Sequence, residues 1–410
     1  MDSKSPVVLR LPELLAAVFA WLPKGDLTSV ARVCRFWTPC ALDMIWQTIP
    51  DFETLMDLFQ IIMWNNGTGA QEDTSDDDPW EVFWAYCLRV HTIERCLEAY
   101  DPGVTDNLIF RVEKHLRGPS LLPNLRSITL RSWADEPHIV EILPIIPTRL
   151  RALSLYAFRD SAAFQRLLGH LAAIPISRLS TANFHVSGDN VTVTRLLQLN
   201  LATLVDLTLA GPHLTASTLK RLGSVPGVTR LTIQPWGAKT GLDEFFASIG
   251  SSFPRLSFLC VTLDQAIEED VPVTVLEGLA ECRELQTVYM RSPKWKTLSG
   301  EDARRVGSWW PLMELFFLSQ NCHPDQVTTP LGILEEFARV WSATLLDIGL
   351  EFDATTPLPS PASVRFRIDD VAEFLKTVSP GRLKIDSDGF RTKYEDDSLR
   401  WDVVMKKVEA

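Results

Sequence analysis

The sequence of 410 residues lacks any apolar run long enough to cross a membrane. Its longest apolar stretch, residues 14–23, has ten residues, whereas a membrane-spanning helix needs about 20. Basic side chains are also few: 40 Lys and Arg stand against 52 Asp and Glu, which gives a net charge of −12. Such a balance repels a phosphate backbone. We therefore expect neither a membrane nor a nucleic acid as a partner.

Cysteine is scarce, and its spacing is typical of neither disulfides nor metal sites. The seven cysteines are scattered, with no CxxC pair and no His/Cys cluster at zinc spacing. Residues 1–4, MDSK, lack the basic and apolar regions that open a secretory signal. The sequence thus predicts reduced thiols, a cytoplasmic or nuclear location, and no metal or cofactor.

Catalytic motifs are missing as well. No GxSxG, HExxH, P-loop or GxGxxG pattern occurs. Cys322, His323 and Asp325 are the residue types of a cysteine hydrolase. Side chains adjacent in sequence diverge on a strand, however, and rarely form a working pair. We therefore expect a protein that is not an enzyme, with a cysteine hydrolase as the minor alternative.

Basic residues are absent from a long internal segment. Between residues 36 and 88 there are ten Asp and Glu and no Lys, Arg or His, so this segment carries −10 of the net charge of −12. Its centre, residues 65–79, has no apolar side chain larger than alanine before the closing proline and cannot offset its ordering entropy by burial. This composition predicts a solvated acidic loop. The alternative is a docking or phosphorylation segment around Thr74 and Ser75.

Apolar residues at helical spacing open the chain and predict three short helices. The first face consists of Leu11, Leu14, Leu15, Val18, Phe19 and Leu22. Asp26 is expected to cap a second helix whose apolar positions run to Trp37. Thr38 is expected to cap a third helix, with Pro39 at its first position.

A bundle of this size buries little surface, so part of its apolar surface should meet a partner. Residues 26–37, DLTSVARVCRFW, suggest a helix-turn-helix DNA reader, and the amphipathic helices suggest a protein-docking module. Lys24, Arg32 and Arg35 are the only basic residues within 11–50. They are too few for a groove reader, which needs several phosphate contacts. The docking module is the favoured interpretation.

The opening residues resemble an F-box. The similarity covers residues 11–49 and includes the Leu-Pro-Glu-Leu-Leu opening, the Val-Cys-Arg-Phe-Trp block at 33–37 and the late Ile45-Trp46 pair. The resemblance implies docking on a Skp-type adaptor, the subunit that joins F-box proteins to a cullin scaffold in SCF-type ubiquitin ligases. The adaptor-binding residues that it implies are Leu11, Pro12, Leu14, Leu15, Val18, Phe19, Leu27, Val30, Val33 and Trp37.

A pattern Φ-x-x-Φ-x-Φ recurs from residue 121 onward, where Φ is an apolar residue. Its nine sites are Leu125/Ile128/Leu130, Leu150/Leu153/Leu155, Leu179/Ala182/Phe184, Leu204/Leu207/Leu209, Val228/Leu231/Ile233, Leu256/Leu259/Val261, Leu285/Val288/Met290, Leu312/Leu315/Phe317 and Leu345/Ile348/Leu350. An earlier unit is expected to begin at Val90 and Ile93. The distances between the first residues of successive sites mostly match leucine-rich repeats, whose period is about 20–29 residues.

Segments with helical spacing lie between these sites. They are residues 163–173, 216–222, 242–249, 273–280, 331–341 and 368–378. A single strand-helix unit cannot bury its apolar face, so stacked units should form a curved parallel sheet with helices outside. The predicted fold is therefore α/β, a three-helix F-box followed by a leucine-rich-repeat-like solenoid. A doubly wound α/β domain is the alternative, although no glycine-rich phosphate loop follows any strand.

Three segments follow from these patterns. Residues 5–50 are expected to be the F-box domain. Residues 51–120 are expected to be a connecting segment that contains the acidic loop and a first irregular repeat, and residues 121–410 the repeat domain. An F-box followed by irregular repeats resembles fungal and plant substrate receptors, which implies a substrate-recognition subunit of an SCF-type ligase. The alternative is a repeat scaffold whose F-box acts outside substrate ubiquitination.

Side chains that alternate with the apolar positions of each strand should point to the opposite face of the sheet. This face is where the resemblance implies that a protein substrate binds, and aromatic and arginine residues are the favoured anchors. The candidate substrate-binding residues are Arg131, Tyr156, His185, Arg230, Phe258, Tyr289, Arg291, Phe316 and Glu351.

Overall fold

The structure is a computed structural model. It describes residues 11–67, 78–96, 120–132, 146–157, 167, 169, 171, 178–186, 202–211, 214–235, 241–263, 270–292, 295–320, 333–345 and 347–350. The chain divides into two compact units, residues 1–183 and residues 184–410.

The first unit begins with three short helices, as the sequence predicts. They are α1 (Pro12–Phe19), α2 (Lys24–Val30) and α3 (Trp37–Gln47). Their core consists of Leu15, Phe19, Leu27 and Ala41, none more than 3% exposed. The Phe19 ring meets the Trp37 ring edge to face, with centroids 5.8 Å apart. Side chains from all three helices therefore close one small core.

The expected limits of α2 are wrong. Helix α2 starts at Lys24, directly after Pro23, so Asp26 lies in its first turn and does not cap it. Pro23 has a backbone φ of −59°, and the helix follows at once. The helix also ends at Val30 and does not continue to Trp37.

The expected cap of α3 is also wrong. The Thr38 hydroxyl donates to the Ala31 carbonyl at 2.7 Å and to the Cys34 carbonyl at 3.0 Å. It therefore ties the preceding turn to α3, and Phe36 occupies the N-cap position without a side-chain cap.

The rest of the first unit combines two helices with parallel strands. The elements are β1 (Thr48–Ile49), α4 (Glu53–Gly67), α5 (Pro79–Cys87), β2 (Thr92–Cys96), β3 (Ser127–Ser132) and β4 (Ala152–Ala157). Strands β1 to β4 pair in chain order, all parallel. Strand β2 confirms the early repeat expected near Val90 and Ile93, whereas β1 is not predicted by the sequence.

The acidic loop is shorter than expected at both ends. Residues 65–67 close α4, and Pro79 begins α5. Asp78 caps α5, because its carboxylate accepts from the Trp80 backbone N–H at 3.0 Å. The central residues 68–77 lie outside the described residues, so the solvated loop stays a prediction there.

Strand β5 (Thr181–Val186) spans the boundary between the units, and the second unit continues the strand-helix alternation. Its elements are β6 (Asp206–Gly211), α6 (Ala216–Leu222), β7 (Arg230–Pro235), α7 (Leu242–Ser252), β8 (Phe258–Thr262), a 3₁₀ helix (Val273–Leu279), β9 (Thr287–Ser292), α8 (Gly300–Trp309), β10 (Leu315–Gln320), α9 (Ile333–Val340) and β11 (Asp347–Leu350). Strands β6 to β11 pair in chain order and all are parallel. The predicted α/β class and strand-helix repeats are confirmed.

Burial follows the predicted apolar pattern in nearly every repeat. The central apolar positions Leu153, Leu231 and Leu259 are fully buried. The exception is β10, where Met313, Phe316 and Leu318 are buried and Leu312 is 46% exposed. The predicted register of this strand is therefore wrong by one residue.

The helices also agree in part with the sequence pattern. Helix α6 has the predicted bounds and α7 is three residues longer. The helix predicted over residues 273–280 is a 3₁₀ helix that ends at Leu279. Leu167 and Leu171 are helical and buried, whereas residues 368–378 lie outside the described residues. Helix α8 is not predicted by the apolar spacing.

Candidate protein-interaction surfaces

An exposed apolar line follows α1. Leu11, Leu14, Val18 and Trp21 form this line, which we term the α1 ridge, and their exposed fractions are 44%, 44%, 59% and 90%. Steps of three, four and three residues keep them on one side of a helix. The Trp21 backbone N–H donates to the Val18 carbonyl at 3.2 Å, so the turn after α1 continues this spacing. A contiguous exposed apolar surface on a small domain marks an interaction site.

Burial divides the ten residues that the resemblance implies for adaptor binding. Leu15, Phe19 and Leu27 lie in the three-helix core, and Val30 and Trp37 pack against it half-buried. These five support the surface from inside, because one side of each amphipathic helix must pack on its neighbours.

The other five predicted adaptor-binding residues are exposed. They are Leu11, Pro12, Leu14, Val18 and Val33. Trp21 and Phe36 are not among the ten residues that the resemblance implies, and they are also exposed, at 90% and 45%. The spacing could have found Trp21, since it lies three residues beyond Val18. Adaptor contact by any of these residues stays a prediction.

Two charged contacts join the three helices to the rest of the first unit. Lys24 donates from Nζ to the Thr48 carbonyl at 2.6 Å, which joins the start of α2 to β1. Arg89 pairs with Asp43 of α3 at 2.8 Å. Two of the few basic residues near the helices are therefore engaged within the first unit.

The sheet of the second unit has one face that the core does not use. Aromatic residues of and after α9 cover the other face: Phe337 and Trp341 pack on Phe316 with ring centroids 5.4 and 5.2 Å away. Side chains of β7 to β10 that alternate with the buried positions are exposed or half-buried, and we term them the open face. They are Arg230, Thr232, Gln234, Phe258, Cys260, Thr262, Thr287, Tyr289, Arg291, Leu315 and Phe317.

Four of the predicted substrate-binding residues lie on the open face: Arg230, Phe258, Tyr289 and Arg291. The Arg230 guanidinium lies 4.2 Å from the centre of the Phe258 ring. The Phe258 and Tyr289 centroids are 5.9 Å apart, and Tyr289 stacks on Phe317 at 4.6 Å with an interplanar angle of 13°. We term Phe258, Tyr289 and Phe317 the aromatic ladder.

The expectation that Phe316 lies on this face is wrong. Phe316 is fully buried, and Phe317 is the residue in register with Tyr289. The one-residue error in the register of β10 moves each of its side chains to the opposite face. Phe317 therefore takes the place that the sequence interpretation gave to Phe316.

Arg131 and Tyr156 form a similar pair in the first unit. They are register partners on β3 and β4, and the Arg131 guanidinium lies 5.2 Å from the centre of the Tyr156 ring. His185 on β5 is half-buried, and burial lowers its pKa, which favours the neutral imidazole. Glu351 lies outside the described residues.

The described residues include free cysteines, of which Cys87 and Cys282 are buried and Cys34 is exposed. Burial raises the pKa of Cys282 to about 12, with a further contribution from Glu281, and raises the pKa of Cys87. Within the described residues, no group of three His, Cys, Asp or Glu could hold a metal ion. No helix among them is both long and apolar enough to span a bilayer. Cys322 and His323 lie outside the described part of the chain.

Comparison with known proteins gives a domain match and a distant structural likeness. Residues 10–49 match the F-box-like family model, so this segment is an F-box-like domain. The leucine-rich repeat-containing protein LegL7 from Legionella pneumophila is similar over 58% of this chain and 78% of its own, with 18% identity and a TM-score of 0.35. No curated protein matches the sequence. An F-box-like domain joined to strand-helix repeats is an architecture of protein-interaction adaptors.

Proposed function

We propose that this protein is the substrate-recognition subunit of an SCF-type ubiquitin ligase. The F-box-like domain binds a Skp-type adaptor, which links it to a cullin scaffold, and the repeats bind a protein substrate. Ubiquitin transfer then belongs to other subunits, and this chain contributes recognition only. The scattered free thiols support a location in the cytoplasm or nucleus.

The α1 ridge is the observation that carries this proposal. F-box domains generally bind Skp-type adaptors, and within this F-box-like domain Leu14 and Val18 leave about half of their side chains in water. Full burial of a Leu or Val side chain contributes about 1.5–3 kcal/mol, so a partner groove that covers the ridge would gain several such increments. We place Pro12 and Val33, which are also exposed, at the edge of the same contact.

The buried half of the motif has a different role. Leu15, Phe19 and Leu27 hold the helices together and keep the ridge in position. A charge at Leu15 would therefore unfold the bundle, because an unpaired buried charge costs several kcal/mol. Substitutions that test docking have to use the exposed residues.

Co-purification of the full chain from cells tests the proposal. The ridge variant Leu14→Asp/Val18→Asp is compared with the control Val205→Asp/Leu312→Asp, which changes two residues of the second unit that are 45% and 46% exposed. We expect the wild type and the control to recover both a Skp-type adaptor and a cullin, and the ridge variant to recover neither.

Two other outcomes contradict this expectation. Recovery of the adaptor without a cullin would favour the repeat scaffold that acts outside ubiquitination. Equal recovery of both subunits by the ridge variant would show that the ridge is not the docking surface.

A further inference from the structure

The open face carries positive charge in a protein that is acidic overall. Its described side chains include Arg230 and Arg291 but no Asp or Glu, whereas the whole chain has a net charge of −12. The described carboxylate next to these four strands is that of Asp206 on β6, the register partner of Arg230. The open face therefore favours a negatively charged ligand.

Neighbouring residues hold the Arg230 side chain in place, but about half of it remains exposed to solvent. Its guanidinium rests on the Phe258 ring at 4.2 Å, and its Nε lies 3.8 Å from an Asp206 oxygen. The side chain is still 52% exposed, and an exposed pair of this length contributes little. A planar guanidinium fixed by an aromatic ring presents its remaining N–H donors with less loss of side-chain entropy on binding.

The backbone that carries Arg291 is also fixed. The Arg291 carbonyl accepts from the Leu263 backbone N–H at 2.7 Å, and the side chain is exposed. Arg291 lies two residues beyond Tyr289, so the two side chains share one side of β9. Arg230 therefore lies beside Phe258 at one end of the aromatic ladder, and Arg291 lies beside its middle ring, Tyr289.

The aromatic ladder presents ring edges to solvent. Tyr289 and Phe317 stack face to face across neighbouring strands, with an interplanar angle of 13°, so much of each facing ring surface is already covered. Ring edges carry partial positive charge and also offer apolar contact area. A ligand that combines negative charge with an aromatic or aliphatic side chain is complementary to this arrangement.

We infer that the open face binds an acidic peptide segment that also carries an aromatic or aliphatic anchor. Carboxylates of the segment pair with Arg230 and Arg291, and the anchor packs beside Tyr289 and Phe317. A basic segment would meet two arginines of like charge. This inference rests on the proposed function only in identifying the segment as part of the substrate.

Fluorescence anisotropy with the purified full chain tests this inference. The probes are three labelled synthetic peptides: one of alternating Glu and Phe, one with Lys in place of each Glu, and one with Ser in place of each Phe. We expect the Glu-Phe peptide to bind at least about tenfold more tightly than the other two, because both the charges and the anchor contribute.

Matched charge reversals locate the contact. Arg230→Glu/Arg291→Glu is expected to weaken binding of the Glu-Phe peptide by at least about tenfold. The control Arg304→Glu/Arg305→Glu makes the same charge change at two exposed residues of α8 and is expected to leave affinity unchanged. Thermal unfolding, monitored by circular dichroism, shows whether each variant is folded. Phe317→Ser provides a second test, because it leaves the charges unaltered and should also weaken binding.

Several results would overturn the inference. They are failure of the Glu-Phe peptide to bind the wild type, equal or tighter binding of the Lys peptide, and full affinity in the folded open-face variants. A concentration-dependent dimer that Arg230→Glu/Arg291→Glu abolishes would assign the face to a second copy of the chain. The ridge variant Leu14→Asp/Val18→Asp should keep peptide binding, so failure of adaptor docking and failure of this inference are distinguishable.

Discussion

Two glycines allow α7 and the 3₁₀ helix to approach until their backbones almost touch. A Cβ added at Gly278 would lie 2.6 Å from the Ala247 Cα and 2.7 Å from the Phe246 carbonyl carbon. A Cβ at Gly250 would collide with the Gly278 carbonyl oxygen. Neither position has a positive φ, so the requirement for glycine comes from the close approach and not from the backbone conformation.

Gly278→Ala should destabilise the second unit. The new methyl group meets backbone atoms that cannot rotate away, and overpacking of this kind costs about 1–3 kcal/mol. Urea unfolding followed by tryptophan fluorescence measures the change. Gly25→Ala in α2 is the control, because a Cβ there meets nothing within 4 Å and should leave stability unchanged or raise it by about 0.4–1 kcal/mol. Equal unfolding midpoints for the two variants would contradict this interpretation.

The F-box-like motif shows how far residue-level prediction extends. Helical spacing correctly places Leu14, Leu15, Val18 and Phe19 on one apolar side of α1. Helical spacing alone does not predict that Leu15 is 2% exposed whereas Leu14 is 44% exposed. This difference depends on how α1 packs against α3. The spacing also places Trp21 on the α1 ridge, three residues beyond Val18, whereas its 90% exposure follows from the packing.

At the scale of elements, α8 shows what apolar periodicity misses. The Ser299 hydroxyl accepts from the Asp302 backbone N–H at 3.2 Å, and the Asp302 carboxylate accepts from the Ser299 backbone N–H at 2.9 Å. This reciprocal capping box starts a helix that buries Ala303, Val306 and Trp309. The Ser-x-x-Asp spacing was a readable signal for the start of the helix.

Ser299→Ala should weaken α8. Loss of an N-cap hydroxyl costs about 0.5–2 kcal/mol, and here it also removes one half of the capping box. The control is Ser308→Ala on the same helix, where the exposed hydroxyl donates only to the Arg305 carbonyl. We expect Ser299→Ala alone to lower the urea midpoint. A comparable loss in Ser308→Ala would mean that the cap is not responsible.

The strands were predictable because apolar residues occupy one alternation and polar residues the other. In β7 the buried Leu231 and Ile233 alternate with Arg230 and Thr232, and the register follows directly. In β10, Leu315, Phe316, Phe317 and Leu318 are all apolar, so both registers satisfy the pattern. Packing of Phe316 against Phe337 and Trp341 determines which of the two registers β10 adopts.

At the scale of the molecule, the F-box-like domain is continuous with the sheet of the first unit. Thr48 and Ile49 pair in parallel with Thr92 and Ile93, and the His91 backbone N–H donates to the Gln47 carbonyl at 2.9 Å. The end of α3 therefore leads directly into the first strand. A two-residue strand has too little pattern to be recognised in the sequence, so this connection could not be predicted.

The two proposed surfaces have different chemistry. The α1 ridge is apolar from Leu11 to Trp21, whereas the open face combines Arg230 and Arg291 with the aromatic ladder. The amphipathic helices predict a protein partner for the ridge, and the resemblance implies a protein substrate for this face of the sheet. The sequence also places Arg230 and Arg291 on this face, but which aromatic rings they accompany depends on the register of β7 and β9 with β8.

The central claim is that the α1 ridge docks a Skp-type adaptor, and calorimetric titration of purified full chain with purified adaptor tests it most directly. We expect the wild type and the Val205→Asp/Leu312→Asp control to bind with equal affinity. Leu14→Asp/Val18→Asp should bind at least about 100-fold more weakly, because two uncompensated carboxylates would enter an apolar interface. Undiminished affinity in a folded ridge variant, or no binding by the wild type, would contradict the claim.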